Sequence, residues 1–138
     1  MLIETWLGDI TKLEVDAIVN AANERLAPGG GVCGAIHAAA GPELAVECAR
    51  VGPCPTGDAK ATAGYGLTGR WVIHAVGPRW DTGGDEKVEL LASAYRRALE
   101  LADEMGARSI AFPSISTGIF GFPQPLASQT AVAALRSL

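Results

Sequence analysis

The stretch Val19-Asn20-Ala21-Ala22-Asn23, followed after four residues by Pro28-Gly29-Gly30-Gly31-Val32-Cys33-Gly34-Ala35-Ile36-His37, decides the fold of this chain. An apolar, strand-like run ends in two asparagines, and three glycines then open a helix. Glycines let the backbone approach a ligand closely, and the free N–H groups of a helix N-terminus attract anions. No Lys or Arg lies between Pro28 and His37, so main-chain groups would hold an anion bound there.

Length and composition predict one globular domain over residues 1–138. Of the 138 residues, 49% are hydrophobic, so the chain can build a sizeable core and does not have the composition of a disordered protein. Its formal net charge of −4 argues against broad binding to the phosphate backbone of nucleic acids. That charge does not exclude a single phosphorylated ligand held by local N–H groups.

The cysteines and the N-terminus predict a reduced, cytoplasmic protein. Cys33, Cys48 and Cys54 are odd in number and form no C-x-x-C pair, which is typical of free thiols. Together with His37 and His74 they match no common zinc spacing, so no metal and no cofactor are expected. The N-terminus lacks the basic and apolar regions of a signal peptide, and no stretch approaches the roughly 20 apolar residues of a membrane span.

Strand-like and helix-like segments alternate along the chain. Short apolar runs indicate buried strands, and apolar residues that repeat at helical spacing indicate helices. The predicted strands are Leu2–Leu7, Asp16–Asn20, Lys60–Tyr65, Trp71–Val76 and Ser109–Pro113, and the predicted helices are Gly34–Ala40, Glu43–Arg50, Val88–Met105 and a last one from about Pro125 to the end. Such alternation predicts an α/β protein, a three-layer α/β/α domain.

A second loop that suits phosphates, Ser114-Ile115-Ser116-Thr117-Gly118-Ile119-Phe120-Gly121, follows the last predicted strand. In open α/β sheets, ligands bind beyond the carboxyl ends of the strands, where such loops gather. The glycine run after Asn23 follows a strand in the same way. Two such loops that meet at one crevice predict a ligand that carries a diphosphate.

Five motifs occur in the order that one family shows. They are Gly8-Asp9-Ile10-Thr11, Val19-Asn20-Ala21-Ala22-Asn23, Gly29-Gly30-Gly31-Val32 with Ala35-Ile36-His37, Val72-Ile73-His74-Ala75-Val76-Gly77-Pro78, and Phe112-Pro113-Ser114-Ile115-Ser116-Thr117-Gly118-Ile119-Phe120-Gly121. On these motifs the chain resembles a macrodomain of the MacroD type, from Gly8 to Gly121. The resemblance implies a mixed central sheet, binding of ADP-ribose, and ADP-ribosylated proteins as partners.

The resemblance also implies an activity. Many members of the family remove ADP-ribose from acidic side chains of proteins or deacetylate O-acetyl-ADP-ribose. The expected function is therefore binding of ADP-ribose with hydrolysis of its esters. The alternative is a module that binds ADP-ribose without turnover.

Roles for single residues follow from the same resemblance. Asp9 would accept a hydrogen bond from the adenine amino group, and the Ile10 N–H would help to fix the ring. Asp9 also suits the N-cap of a short helix. Asn23 would orient the distal ribose, because its amide both donates and accepts, while Asn20 would tie loops together.

The two loops would hold the rest of the ligand. Gly30, Gly31 and Val32 would wrap the distal ribose and one phosphate with main-chain groups. Residues 116–119 would cradle the diphosphate as an anion nest, and Phe120 would lie over the distal ribose. The expected ligand-binding residues are Asp9, Ile10, Ala22, Asn23, Gly30, Gly31, Val32, Cys33, Ser116, Thr117, Gly118, Ile119 and Phe120, and the candidate catalytic residues are Asn23, Cys33 and His37.

Cys33 departs from the pattern, because the MacroD type usually carries at this position an aspartate thought to position or activate the hydrolytic water. A thiol with an unperturbed pKa of about 8.5 is a poor substitute for a carboxylate at neutral pH. Three interpretations stay open. Catalysis is substrate-assisted, with a ligand phosphate and main-chain groups holding the water; or the domain binds without turnover; or Cys33 and His37, four residues apart on one helical face, form a nucleophilic pair.

The two histidines have a simpler interpretation as well. His37 lies in an otherwise apolar helix, where a histidine is more often a core residue bonded to the backbone than a catalyst. His74 lies within a predicted strand and is expected to be structural.

The end of the chain is the second departure from the resemblance. A macrodomain sheet has one more strand after the last helix, between the first strand and the one predicted here over Ser109–Pro113. This sequence ends within the last helix, at Leu138, and unpaired backbone groups beside an apolar core are costly. The expectation is a domain truncated at its C-terminus, lacking the final strand and open to a swapped strand from a partner.

Overall fold

Four strands and four α-helices alternate along the residues that the structure, a computed structural model, describes: 1–81 and 84–138. The strands are β1 (Ala17–Ala22), β2 (Ala59–Ala63), β3 (Trp71–Val76) and β4 (Ile110–Ala111); the helices are α1 (Gly31–Ala40), α2 (Pro42–Val51), α3 (Asp85–Glu104) and α4 (Gln124–Arg136). A short 3-10 helix over Ile10–Lys12 precedes β1.

The strands form one mixed sheet in the order β2-β3-β1-β4. β1 runs parallel to both β3 and β4, whereas β2 runs antiparallel to β3. In the central pair Val19 lies opposite Ile73 and Asn20 lies opposite His74. β1 is paired with β3 along its whole length and with β4 at Ala17 and Ile18. Its residues are buried almost throughout.

Alternate residues of β1 and β3 face two separate cores. Ala17, Val19, Ile73 and Ala75 pack with the apolar residues of α3 and α4, whereas Ile18, Ala22, Val72 and Val76 pack with those of α1 and α2. Helices therefore cover both faces of the sheet, which confirms the predicted three-layer α/β/α fold with a mixed sheet.

The strand predicted over Leu2–Leu7 is wrong. This segment forms neither helix nor strand, and the side chains of Leu2, Trp6 and Leu7 are exposed, that of Leu7 completely. A strand requires a neighbour that pairs with its backbone. In the described part of the chain, β4 pairs only with β1, so the segment has no neighbouring strand.

The remaining elements differ from the prediction at their ends. α1 begins at Gly31 and not at Gly34, and α3 begins at Asp85 and not at Val88, because glycines and acidic first-turn residues carry no apolar periodicity. No helix in 1–81 or 84–138 is long and apolar enough to cross a membrane.

Candidate functional site

Three loops meet at one edge of the sheet because β1 is parallel to β3 and β4. They follow β1 (residues 23–30), β3 (residues 77–81) and β4 (residues 112–121). The carboxyl ends of all three strands lie at this edge. The sequence predicted the first and last of these loops as parts of the site, and the structure brings them to the same side of the molecule.

Asn23 shapes the loop that follows β1. Its Nδ2 donates to the Ala27 carbonyl at 2.9 Å, and its Oδ1 accepts from the Ala27 N–H at 3.0 Å. These bonds close the turn in which Leu26 takes a positive φ of 55°. An amide has two N–H groups and two acceptor lone pairs, so Asn23 keeps one further donor and one acceptor for a ligand.

The glycine run turns the chain into α1. Gly30 caps the helix with extended backbone, and Gly31 has a φ of 57°, a conformation that favours glycine. A Cβ on Gly30 or Gly31 would meet nothing within 4 Å. The N-terminal backbone of α1 therefore borders open space, where its unpaired N–H groups are available to an anion.

The Cys33 side chain is buried beneath this turn, with 6% of its surface exposed. Its Sγ accepts from Asn20 Nδ2 at 3.7 Å and donates to the Ala27 carbonyl at 3.7 Å. Asn23 and Cys33 thus hold the same peptide unit, that of Ala27.

A buried polar network continues from Asn20 into the core. Asn20 Nδ2 lies 3.1 Å from His74 Nδ1, and Thr62 Oγ1 lies 2.9 Å from His74 Nε2. The amide nitrogen can only donate, so His74 accepts at Nδ1 and carries its proton on Nε2. Burial lowers the pKa of His74 to about 4 and raises that of the nearby Cys48 thiol to about 11. Both groups are neutral, as expected of a structural network.

His37 stands apart from Cys33 in its contacts. Burial lowers the pKa of His37, and its Nε2 is buried without a hydrogen-bond partner among the described residues. Among the described residues, Cys33 is hydrogen-bonded to Asn20 and Ala27 and to neither ring nitrogen of His37. The geometry therefore supplies no contact for a Cys33–His37 nucleophilic pair.

The loop after β4 is held in a strained conformation at Ser116. Ser116 has a φ of 67°, and its buried hydroxyl has no partner among the residues that the structure describes, while its carbonyl accepts from the Phe122 N–H at 2.8 Å. Thr117 Oγ1 donates back to Ser114, and the Gly121 N–H donates to the Gly118 carbonyl at 3.0 Å. Strain of this kind is concentrated at binding and catalytic sites.

The exposed tip of this loop carries Ile119 and Phe120. Ile119 is 97% exposed, and the guanidinium of Arg79 lies 4.8 Å from the centre of the Phe120 ring. The Phe120 carbonyl accepts from the Trp80 N–H at 2.8 Å. The loops after β3 and β4 are thus bonded to each other, and Phe120 lies at their junction.

Sequence reasoning missed Arg79 and the loop after β3 as parts of this region. The only available signal was the predicted strand ending in Val76-Gly77-Pro78, because a loop after a strand parallel to β1 must reach the same edge.

The N-terminal motif contributes to a groove of about 1260 Å³. Asp9 caps the 3-10 helix, and its Oδ1 accepts from the Thr11 N–H at 3.0 Å and from Thr11 Oγ1 at 2.7 Å, contacts that lower the pKa of the carboxyl. Asp9 and Ile10 line the groove together with Val32 and Ser114. The N-terminal motif, α1 and the start of the loop after β4 therefore contribute to one groove, whose lining does not include Asn23, Gly30, Gly31 or residues 116–120. Ala22 is buried in β1.

Residues 19–131 match the Macro domain family. The chain is a macrodomain. A macro domain-containing protein of Mesorhizobium japonicum is 58% identical over 130 residues, which cover 94% of this macrodomain and 74% of that protein. One of Chlorobaculum tepidum is 54% identical over 138 residues, covering 100% of this chain and 80% of the other.

Solved structures share the fold of this macrodomain at comparable identity. The Oceanobacillus iheyensis macrodomain with ADP superposes with a TM-score of 0.91 at 46% identity and covers 96% of this chain and 73% of its own. The Trypanosoma brucei macrodomain in complex with ADP-ribose gives a TM-score of 0.87 at 46% identity, over 94% of this chain and 54% of its own.

The described residues hold no group of three or more His, Cys, Asp and Glu side chains placed to bind a metal ion. Main-chain donors, the Asn23 amide and the Cys33 thiol are among the groups that the candidate site presents.

Proposed function

We propose that this macrodomain binds ADP-ribose. The observation that carries the proposal is the single groove that joins Asp9 and Ile10 to Val32 and Ser114, with the open N-terminus of α1 beside it. An adenosine would lie at Asp9 and Ile10, and the glycine turn and the strained loop offer main-chain donors to a diphosphate. The Oceanobacillus and Trypanosoma neighbours that hold ADP and ADP-ribose support the same ligand.

The proposal extends to hydrolysis of ADP-ribose esters, such as O-acetyl-ADP-ribose and ADP-ribosylated Asp or Glu of proteins. Water adds to the ester bond, the carboxylic acid leaves, and the ribose hydroxyl takes up the remaining proton. Asn23 orients the ribose with its free donor and acceptor, and N–H groups of residues 29–31 and 116–120 stabilise the negative charge that develops. The attacking water is held by the ligand phosphate and the main chain.

The second candidate function is binding without turnover. It is favoured by Cys33, whose thiol is occupied by Ala27 and Asn20 and is no carboxylate base. The two candidates share the ligand and differ in the chemical step.

Calorimetry followed by a turnover assay tests both. Titration with ADP-ribose should give saturable binding, and adenosine alone should bind more weakly because it lacks the diphosphate. Release of ADP-ribose from an aspartyl- or glutamyl-ADP-ribosylated protein is then measured. Binding with turnover supports hydrolysis, binding without turnover supports the second candidate, and no binding at micromolar protein contradicts both.

A further inference from the structure

A separate cavity of about 450 Å³ lies beside the candidate ADP-ribose site. Its walls come from the loop after β1, the loop after β3 and the first turns of α3. Of the predicted ligand-binding residues it contains Asn23 and Phe120 alone. Both residues are expected at the distal ribose, so the cavity meets the site at the end where a modified group is attached.

Hydrogen bonds and ring contacts connect the walls of the cavity to the loops of the candidate site. The Trp80 N–H donates to the Phe120 carbonyl, and Arg79 covers the Phe120 ring. On the opposite wall the Glu24 carbonyl accepts from the Cys54 N–H at 2.8 Å, which fixes the loop that carries Arg25. A ligand that reaches past Phe120 therefore meets two guanidinium groups on anchored loops.

The charge of the cavity differs from that of the whole chain. Arg25, Arg79 and Lys87 line it against two carboxylates, Glu24 and Asp81. Lys87 pairs with Asp81 at 3.3 Å, so the two arginines outnumber Glu24 in a chain whose net charge is −4. ADP-ribose itself would have its phosphates held by main-chain groups and would not use these cations.

We infer that this cavity receives the polypeptide attached to the distal ribose and that Arg25 and Arg79 favour acidic residues beside the modified one. The inference rests on the proposed function. It names a substrate class: ADP-ribosylated Asp or Glu within an acidic segment. Guanidinium groups pair with carboxylates in two-point contacts that an ammonium group does not make.

Two peptides that carry ADP-ribose through a non-hydrolysable linkage test the inference, one with acidic and one with neutral flanking residues. Each exposed ion pair strengthens binding about two- to fivefold, so the acidic peptide should bind more tightly by that factor for each arginine engaged. The preference should shrink at high salt. Arg25→Met removes one charge and should reduce the preference, and Arg79→Met, which keeps apolar bulk against Phe120, should do the same.

Arg50→Met is the matched control, since Arg50 is exposed in the last turn of α2 and does not line the cavity. It removes the same charge and should leave the preference unchanged. Equal affinity for the two peptides, a preference that survives both cavity variants, or tighter binding of an ADP-ribosylated oligonucleotide overturns the inference. Binding of free ADP-ribose distinguishes failure of this inference from failure of the proposed function. If free ADP-ribose binds and the two peptides bind equally well, only the inference about the cavity fails. If free ADP-ribose does not bind, the proposed function fails as well.

Discussion

At the scale of single residues, the Cys33 thiol is held from two sides, by Asn20 as donor and by the Ala27 carbonyl as acceptor. A nucleophile would need a base in contact with its sulfur, and among the described residues Cys33 contacts Asn20 and Ala27 instead. The thiol instead links the glycine turn to the buried network around His74. Of the three interpretations of Cys33, the contacts give the least support to the nucleophilic pair.

Cys33→Ala is therefore expected to retain hydrolysis of O-acetyl-ADP-ribose if the parent protein shows it. Loss of two weak sulfur hydrogen bonds should reduce the free energy of unfolding by about 1 kcal/mol. Turnover rates of the two proteins are compared at saturating substrate, with Asn23→Ala as the variant that should lose activity. A Cys33→Ala protein that binds ADP-ribose normally and turns over no substrate would restore the nucleophile interpretation.

His74 makes stability depend on pH. Its pKa falls from 6.5 to about 4 mainly through burial, with His37 lowering it and Glu47 raising it, while Asn20, Thr62 and Cys48 contact its ring. In the unfolded chain His74 is protonated below about pH 6.5, whereas in the folded chain it is protonated only below about pH 4. Titration of His74 therefore leaves the free energy of unfolding unchanged above pH 6.5 and lowers it by up to about 3 kcal/mol as the pH falls toward 4.

Urea unfolding of the parent and of His74→Gln, at pH 7.5 and at about pH 4.5, measures this term. Glutamine does not titrate, so the variant should lose less stability between the two pH values, whatever its stability at neutral pH. His37 and Asp9 are present in both proteins, so their contributions to the pH dependence of the free energy of unfolding cancel in the comparison. Parallel losses would show that His74 is not the source.

At the scale of elements, the loops after β3 and β4 are packed against each other through a glycine. A Cβ on Gly77 would lie 2.2 Å from Ser116 Oγ and 2.5 Å from Ile115 Cγ2. Neither neighbour is free to move, because Ser116 and Ile115 are buried. The absence of a side chain at residue 77 is what allows Ser116 its strained position.

Gly77→Ala should destabilise the protein by about 1–3 kcal/mol through overpacking. Gly118→Ala is the matched control, because its Cβ would meet nothing within 4 Å and its stability should change by less than about 0.5 kcal/mol. If ADP-ribose lies against Gly118, this control should nevertheless bind it more weakly. Thermal unfolding and calorimetry on both variants separate the two effects, and equal melting temperatures would contradict the packing argument.

Strands and helices could be predicted where the pattern of apolar residues along the sequence marks the side chains that are buried. The apolar runs of β1 and β3 and the helical repeat of Leu91, Tyr95 and Leu99 could be read directly, because burial selects these residues wherever the elements lie. The segment Leu2–Leu7 shows the same kind of pattern without a neighbouring strand, and pairing is decided by distant parts of the chain. Contacts such as Asn20–His74, 54 residues apart, carry no local signal.

At the scale of the whole molecule, the sheet has one edge at β4, which pairs for two residues only. The groove beside it is lined by Leu2, Trp6, Ile110, Phe112 and Leu135 among others. Apolar walls next to unpaired strand backbone suit an added strand. The predicted final strand stays a prediction, and we propose that it would pair with β4 at the part of the groove lined by these apolar residues, which leaves the part at Asp9, Ile10, Val32 and Ser114 to ADP-ribose.

A longer protein that carries the proposed strand after Leu138 is therefore expected to melt at a higher temperature and to bind ADP-ribose more tightly than residues 1–138. Differential scanning calorimetry and titration of both forms measure the difference. Ser109→Ala in both forms is a suitable control, because it removes the hydrogen bond to the Asp16 N–H and should lower both melting temperatures alike. Equal behaviour of the two forms would contradict the expectation.

The candidate site could be proposed from the sequence as far as main-chain features indicate it. Both loops were found because glycines and their place after strands are visible in one sequence, and Asp9 was correctly predicted as an N-cap. The contacts of the Cys33 thiol with Asn20 and Ala27 and the cavity at Arg79 depend on how the three loops pack, which a pattern along the chain does not encode.

The pairing of Trp80 with Phe122, with ring centres 4.6 Å apart, gives the protein an optical reporter of its own. The main-chain N–H of the same tryptophan donates to the Phe120 carbonyl, so a ligand that binds at that loop should change the fluorescence of Trp80. With Trp6 and Trp71 replaced by phenylalanine, a single emission signal would follow occupation of the site in real time, without a label.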